Sequence, residues 1–124
     1  MRAISCPEPG KLTVVEIDKP DLTPGWVRVG IRHIGICGTD YHIFEGKHPF
    51  LKYPRVMGHE LAVEVIDDPT GAYRSGEILA VNPYLSCGRC VACRRGKPNC
   101  CVRIEVLGVH RDGGMSTALG PVPG

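Results

Sequence analysis

The sequence has no apolar run approaching the roughly 20 residues that cross a bilayer, and residues 1–10 show no signal-peptide core. It has no internal repeat, no low-complexity segment, and no G-x-G-x-x-G motif with a βαβ unit after it. Aromatics make up only 6% and the net charge is only +2. A membrane-spanning helix, a repeat array and a dinucleotide-binding fold are thereby excluded as readings. With 124 residues the chain also has no room for a dinucleotide-binding domain beside another domain, or for a long helical bundle. The apolar fraction of 43% and charged fraction of 23% are ordinary globular values, which removes disorder, coiled coil and collagen.

What is present is glycine (16), proline (11) and cysteine (7), a composition that argues for many turns and short strands. Leu12 to Ile17 is β-branched and strand-like, and Trp26 to Arg32 alternates with period two, Val27, Val29 and Ile31 facing one way. Further strands are expected at Arg2 to Ser5, Leu61 to Ile66 and Ile78 to Val81, with Glu105 to Val109 extended. Pro7 to Gly10 reads as a turn, and Asp18 to Gly25, with Pro20 and Pro24, as a loop. A short helix is expected from Thr39 to Glu45, capped by Thr39 or Asp40. A last strand is expected at Met115 to Leu119, and the tail 120–124 carries no packing signal. The fold class is mainly β, with one inserted loop lobe at about 86–103.

An odd cysteine count without a secretion signal disfavours a disulfide framework and points to a reducing cytoplasm. Cys87, Cys90, Cys93 and Cys101 form C-x2-C-x2-C-x7-C. Tight turns at Gly88 and Gly96, with Pro98 stiffening the return, can bring four thiolates to one tetrahedral Zn²⁺. Cys100 adjoins Cys101 and could take its place; an iron–sulfur cluster fits the spacing less well. Four thiolates on Zn²⁺ carry a formal charge of −2, which Arg89, Arg94, Arg95, Lys97 and Arg103 would offset. That accounts for the basic cluster without nucleic acid. A closed four-sulfur site has no open coordination position, so its role is structural.

A second donor set is Cys37 with His59 and Glu60, types that suit Zn²⁺ and leave a position for water or substrate. On composition alone a buried thiol and a satisfied core histidine are commoner.

Cys37-Gly-Thr-Asp40, Gly58-His-Glu60 and the four-cysteine lobe, in this order, resemble the zinc-dependent medium-chain alcohol and polyol dehydrogenases. The resemblance covers nearly the whole chain and is to the N-terminal, GroES-like catalytic domain, a partly open β-barrel with a short helix and the zinc lobe. Tyr53 to Glu60 and Gly108 to Gly114 are similar to the sorbitol, idonate and galactonate dehydrogenase branch.

The resemblance implies that residues 1–124 form one catalytic domain. Cys37 and His59 would bind a catalytic zinc, with Glu60 a ligand in polyol-type members. Cys101 rather than Cys100 would complete the structural site. Thr39 would hydrogen-bond the substrate hydroxyl, His42 would end a proton relay, and Asp40 would hold the site from behind. It further implies oxidation of a secondary alcohol of a small polyol or sugar acid, the zinc-bound alkoxide giving hydride to NAD or NADP. The complete enzyme is expected to be a cytoplasmic homo-oligomer that binds neither nucleic acid nor membrane.

The sequence departs from the family at Val63, where a glycine is usual, and around Met115 to Leu119, which lacks the usual aromatic and acidic residues. The nicotinamide-binding domain is not in this sequence. The chain therefore reads as a fragment, a natural truncation or a single domain, inactive by itself. The alternative reading is a stand-alone GroES-like zinc module with a structural or interaction role. Nucleic-acid binding through the basic lobe has least support, for want of interleaved aromatics and a recognition helix. Phe44 and His48 are expected near the substrate pocket, and Cys6 in the core.

Overall fold

The computed structural model describes residues 1–19, 21 and 24–123. Pro20, within the expected loop 18–25, lies outside them. Strands β1 (Arg2–Glu8) and β2 (Lys11–Glu16) form a hairpin, registered from Arg2↔Glu16 to Ser5↔Thr13. β1 runs three residues past the expected end at Ser5. Pro7 sits where the pairing register shifts between Ser5 and Glu8, a place that does not require its missing N–H. The turn shrinks to Pro9 and Gly10, the glycine taking φ 79.

β3 (Trp26–Gly35) is the centre of a second sheet. It pairs antiparallel with β5 (Glu60–Asp67) on one side and with β9 (Ala118–Pro123) on the other, and β6 (Ile78–Ala80) extends β5. The period-two pattern works as expected: Val27 and Val29 of β3 face Leu61, Val63 and Val65 of β5, and Leu107 completes the cluster. Each such side chain contributes roughly 1.5–3 kcal/mol on burial. Val63, the departure from the family glycine, is fully buried here and fills this core.

The chain end differs from expectation. β9 spans Ala118–Pro123 rather than Met115 to Leu119, with Trp26↔Pro123 and Val29↔Leu119 in register. A Gly/Pro tail offers no side-chain periodicity, yet its backbone can still occupy the open edge of β3. Gly124 is outside the described residues.

A second core gathers Ala3, Cys6, Val56, Met57, Val109 and Met115 around Ile43, the buried apolar residue of helix α1 (Gly38–Phe44). Cys6 is fully buried, as expected of a small core residue. Strand β4 (Arg55–Val56) pairs with β1, so the segment leading to His59 is stitched to the first sheet. Beyond β6, β7 (Tyr84–Leu85) pairs with β8 (Glu105–Val106) and closes a neck. The cysteine lobe projects from it, holding only helix α2 (Val91–Arg94) and a 3-10 turn at Pro98–Cys100. Among the described residues no helix is long and apolar enough to cross a membrane.

Candidate metal centres

Helix α1 begins one residue earlier than its propensities suggest, because the cap is Cys37. Its backbone is extended, its Sγ accepts the Thr39 N–H at 3.3 Å, and the Asp40 carboxylate accepts the Cys37 N–H at 3.0 Å. This is a reciprocal capping box built with a thiol in place of the usual hydroxyl. Cysteine is not a usual cap, so the signal available in the sequence was the acid three residues later. The box draws Asp40 inside, to 3% exposure.

His59 follows Gly58, whose φ of 94 only glycine adopts readily, and precedes β5. Its Nε2 lies 3.2 Å from Cys37 Sγ, and its Nδ1 lies 3.8 Å from Asp40 Oδ1. The donor atoms of Cys37, Asp40 and His59 all fall within 4.8 Å of one another. His59 Nδ1 and Asp40 Oδ1 are both buried with no hydrogen-bond partner. A buried carboxylate oxygen facing the Nδ1 of a histidine is the arrangement that fixes the tautomer of a metal-binding imidazole.

Glu60 is exposed at the start of β5, opposite Gly35, where a Cβ would stand 2.9 Å from the Glu60 Cβ. Thr39 is half-buried and His42 is exposed in the last turn of α1. An apolar groove of about 440 Å³ opens beside Asp40, walled by Ile36, Tyr41, Phe44 and Met57 among others. Phe44 lines this groove; His48 stands outside it, edge-on to Phe50. Burial lowers the His48 pKa below the ordinary histidine value, and the nearby His110, His42 and His59 lower it further.

In the lobe, the sulfurs of Cys87, Cys90, Cys93 and Cys101 lie within 4.8 Å of one another. Cys100, the alternative fourth residue, is exposed and outside the cluster. Backbone N–H groups point at the sulfurs: Cys87 N–H and Arg103 N–H each donate to Cys101 Sγ at 3.3 Å. The N–H groups of Cys93 and Val102 pull the Cys90 thiol down to about 6, while desolvation and then the neighbouring thiols push Cys93 up to about 11. Arg89, Arg94, Arg95, Lys97 and Arg103 are all exposed around the lobe. Among the described residues none of these five has a carboxylate partner.

Both clusters fit zinc. Zn–S near about 2.3 Å and Zn–N near about 2.0 Å at a tetrahedral angle put sulfur and nitrogen roughly 3.5 Å apart, and the Cys37–His59 pair stands at 3.2 Å. The four-sulfur set is a closed tetrahedral donor set; the Cys37 set is open on one side.

The Alcohol dehydrogenase GroES-like domain family matches residues 23–120. The chain is 46% identical over 118 residues to the starvation-sensing protein RspB of Escherichia coli K12, covering 94% of this chain and 35% of that protein. It is 39% identical over 121 residues to L-galactonate-5-dehydrogenase of the same strain, covering 96% and 36%. A crystal structure of the alcohol dehydrogenase RspB from E. coli CFT073, complexed with the cofactor NADH, superposes with a TM-score of 0.89 at 43% identity, over 99% of this chain and 36% of that one. The chain thus spans about a third of the length of the curated relatives it matches.

Proposed function

The chain belongs to the GroES-like domain family of zinc-type medium-chain alcohol dehydrogenases, and on that premise we propose that it is the catalytic domain of an NAD(P)-dependent enzyme oxidising a secondary alcohol of a polyol or sugar acid. The observation that carries the reading is the Cys37–His59–Asp40 arrangement. The imidazole turns Nε2 to the thiol and Nδ1 to a buried carboxylate. L-galactonate-5-dehydrogenase supports the substrate class, and the NADH complex of RspB supports the nicotinamide cofactor.

Cys37 and His59 would hold the catalytic zinc; Glu60, exposed and outside the cluster of Cys37, Asp40 and His59, would join as third donor by turning its side chain toward them. Asp40 is not a ligand in this reading: one oxygen is committed to the Cys37 N–H and the other faces Nδ1, on the far side of the ring from the thiol. It fixes the tautomer and the ring plane, as carboxylates behind zinc-bound histidines do. When bound, zinc supplies Lewis acidity that brings an alcohol's pKa toward neutrality, and nicotinamide supplies the hydride acceptor. The Thr39 hydroxyl, half-buried two residues after Cys37, would take the substrate's hydroxyl proton while passing its own along the relay. His42, exposed one turn further along α1, returns it to solvent. The groove walled by Ile36, Tyr41 and Phe44 is lined by Asp40 on this side of α1, and by none of Cys37, Thr39, His42 or His59. Cys87, Cys90, Cys93 and Cys101 hold the structural zinc.

Elemental analysis of reduced, chelator-free protein tests this. Two zincs per chain are expected, falling to one in Cys37→Ser with the fold intact. One zinc in the unaltered protein, with Cys37 alkylating as an ordinary free thiol, would overturn it.

A further inference from the structure

We propose that Asp112 is a positioning residue for His59, acting through the backbone of residues 55–58; the inference rests on the reading of Cys37 and His59 as a metal site. Asp112 Oδ1 accepts two bonds, from the Val56 N–H and from Arg55 Nη1, each at 3.1 Å. The residues after it continue the seam. Gly113 N–H donates to Val56 O at 2.7 Å, Gly114 N–H to Gly58 O at 2.9 Å, and Met115 N–H to Met57 O at 2.9 Å. Every residue from Val56 to Gly58 is therefore tied to 112–115, and the next residue is His59.

At Gly108 and Gly113 no side chain cushions this seam. A Cβ on Gly113 would stand 2.6 Å from Met57 O, and one on Gly108 would stand 3.0 Å from Gly58 N. Main chain rests on main chain, so a displacement of 112–115 is passed to Gly58 and His59 undiminished. A metal ligand must be held within about 0.5 Å to be useful. The Asp112 carboxylate closes the open end of the seam, where β4 has only two paired residues on its other side. Asp112 itself is 65% exposed, so its ion pair with Arg55 adds little to overall stability. Its effect is on where the seam sits, not on whether the chain folds.

The test is a Co²⁺ titration of the whole reduced protein, followed by thiolate-to-cobalt absorption, in the unaltered chain, Asp112→Ala and Asp112→Asn. The unaltered chain takes two ions. Asp112→Ala weakens the Cys37–His59 site by on the order of tenfold, the low end for partners that orient a ligand, and leaves the four-cysteine site unchanged. Asp112→Asn keeps an oxygen for the Val56 N–H and recovers most of the loss. Equal affinity of Asp112→Ala and the unaltered chain at the second site overturns the positioning role and leaves the metal reading standing. An unaltered chain that takes one ion overturns the metal reading itself. Parallel weakening at both sites, with a lowered Tm, overturns the positioning role by showing general destabilisation.

Discussion

Removing the metal from the cysteine lobe should melt the lobe and spare the body. Between residues 86 and 103 the only buried side chain is Cys101, worth at most about 3 kcal/mol even at the figure for a large aliphatic. Val91 and Val102, its two aliphatics beyond alanine, are 53% and 71% exposed. Ordering about 18 residues costs on the order of 18 kcal/mol in backbone entropy alone. A structural zinc contributes about 10–16 kcal/mol, enough with a few turn hydrogen bonds to hold the lobe, and nothing else present is of that size. Chelation, or Cys90→Ser, should therefore abolish amide protection across 86–103. The core strands β3 and β5, buried against each other through Val27, Val29, Leu61, Val63 and Val65, should keep theirs. Hydrogen exchange with mass spectrometry reads both regions in one experiment. Undiminished protection in the lobe of a chain shown to be zinc-free would refute the reasoning.

Zinc uptake by the lobe should release protons. Near pH 7.5 Cys90, at about 6, is already a thiolate, while Cys93, at about 11, still carries its proton. Zinc binds thiolates, so affinity should rise about tenfold per pH unit from Cys93 alone, and more steeply below pH 6, where Cys90 also protonates. Calorimetry in two buffers of different ionisation enthalpy should show at least one proton released per zinc; no release would contradict the assignment. Asp40→Asn keeps an oxygen for the Cys37 N–H, so the melting curve should move by less than about 1 kcal/mol, while affinity at the second metal site falls about 10–100-fold. Asp40→Ala should add about 1–3 kcal/mol of destabilisation from the orphaned Cys37 N–H, visible in denaturant titration. Ile43→Ala empties a fully buried position joining α1 to β1 and β4, at a cost of about 2–5 kcal/mol; a smaller shift in the denaturation midpoint would mean the core collapses around the gap.

Legibility followed the range of the interactions. The alternation of Val27, Val29 and Ile31 announced β3 because a half-buried strand repeats every two residues. The C-x2-C-x2-C-x7-C spacing announced the lobe because its ligands lie close in sequence. The last strand was misplaced because β9 is held by the edge of β3, about 90 residues away, and its Gly/Pro composition carries no pattern. The end of β1 was misplaced because its pairing tolerates Pro7 at a register shift.

The sequence by itself therefore determined which residues are chemically able to hold metal, and the family resemblance in their order said how such residues are used. Tertiary structure decided their arrangement. It excluded Cys100 from the four-sulfur cluster, made Cys37 a helix cap, and buried Asp40 behind His59 while leaving Glu60 exposed. It also laid the 112–115 segment against the link between β4 and β5 that carries His59. Spacing along a chain fixes only what can meet within a turn or two. Cys37 and His59 stand 22 residues apart, and Val56 and Asp112 stand 56 apart. The packing of β1 and β4 against helix α1, around Ile43 and Met57, helps bring those pairs within bonding distance.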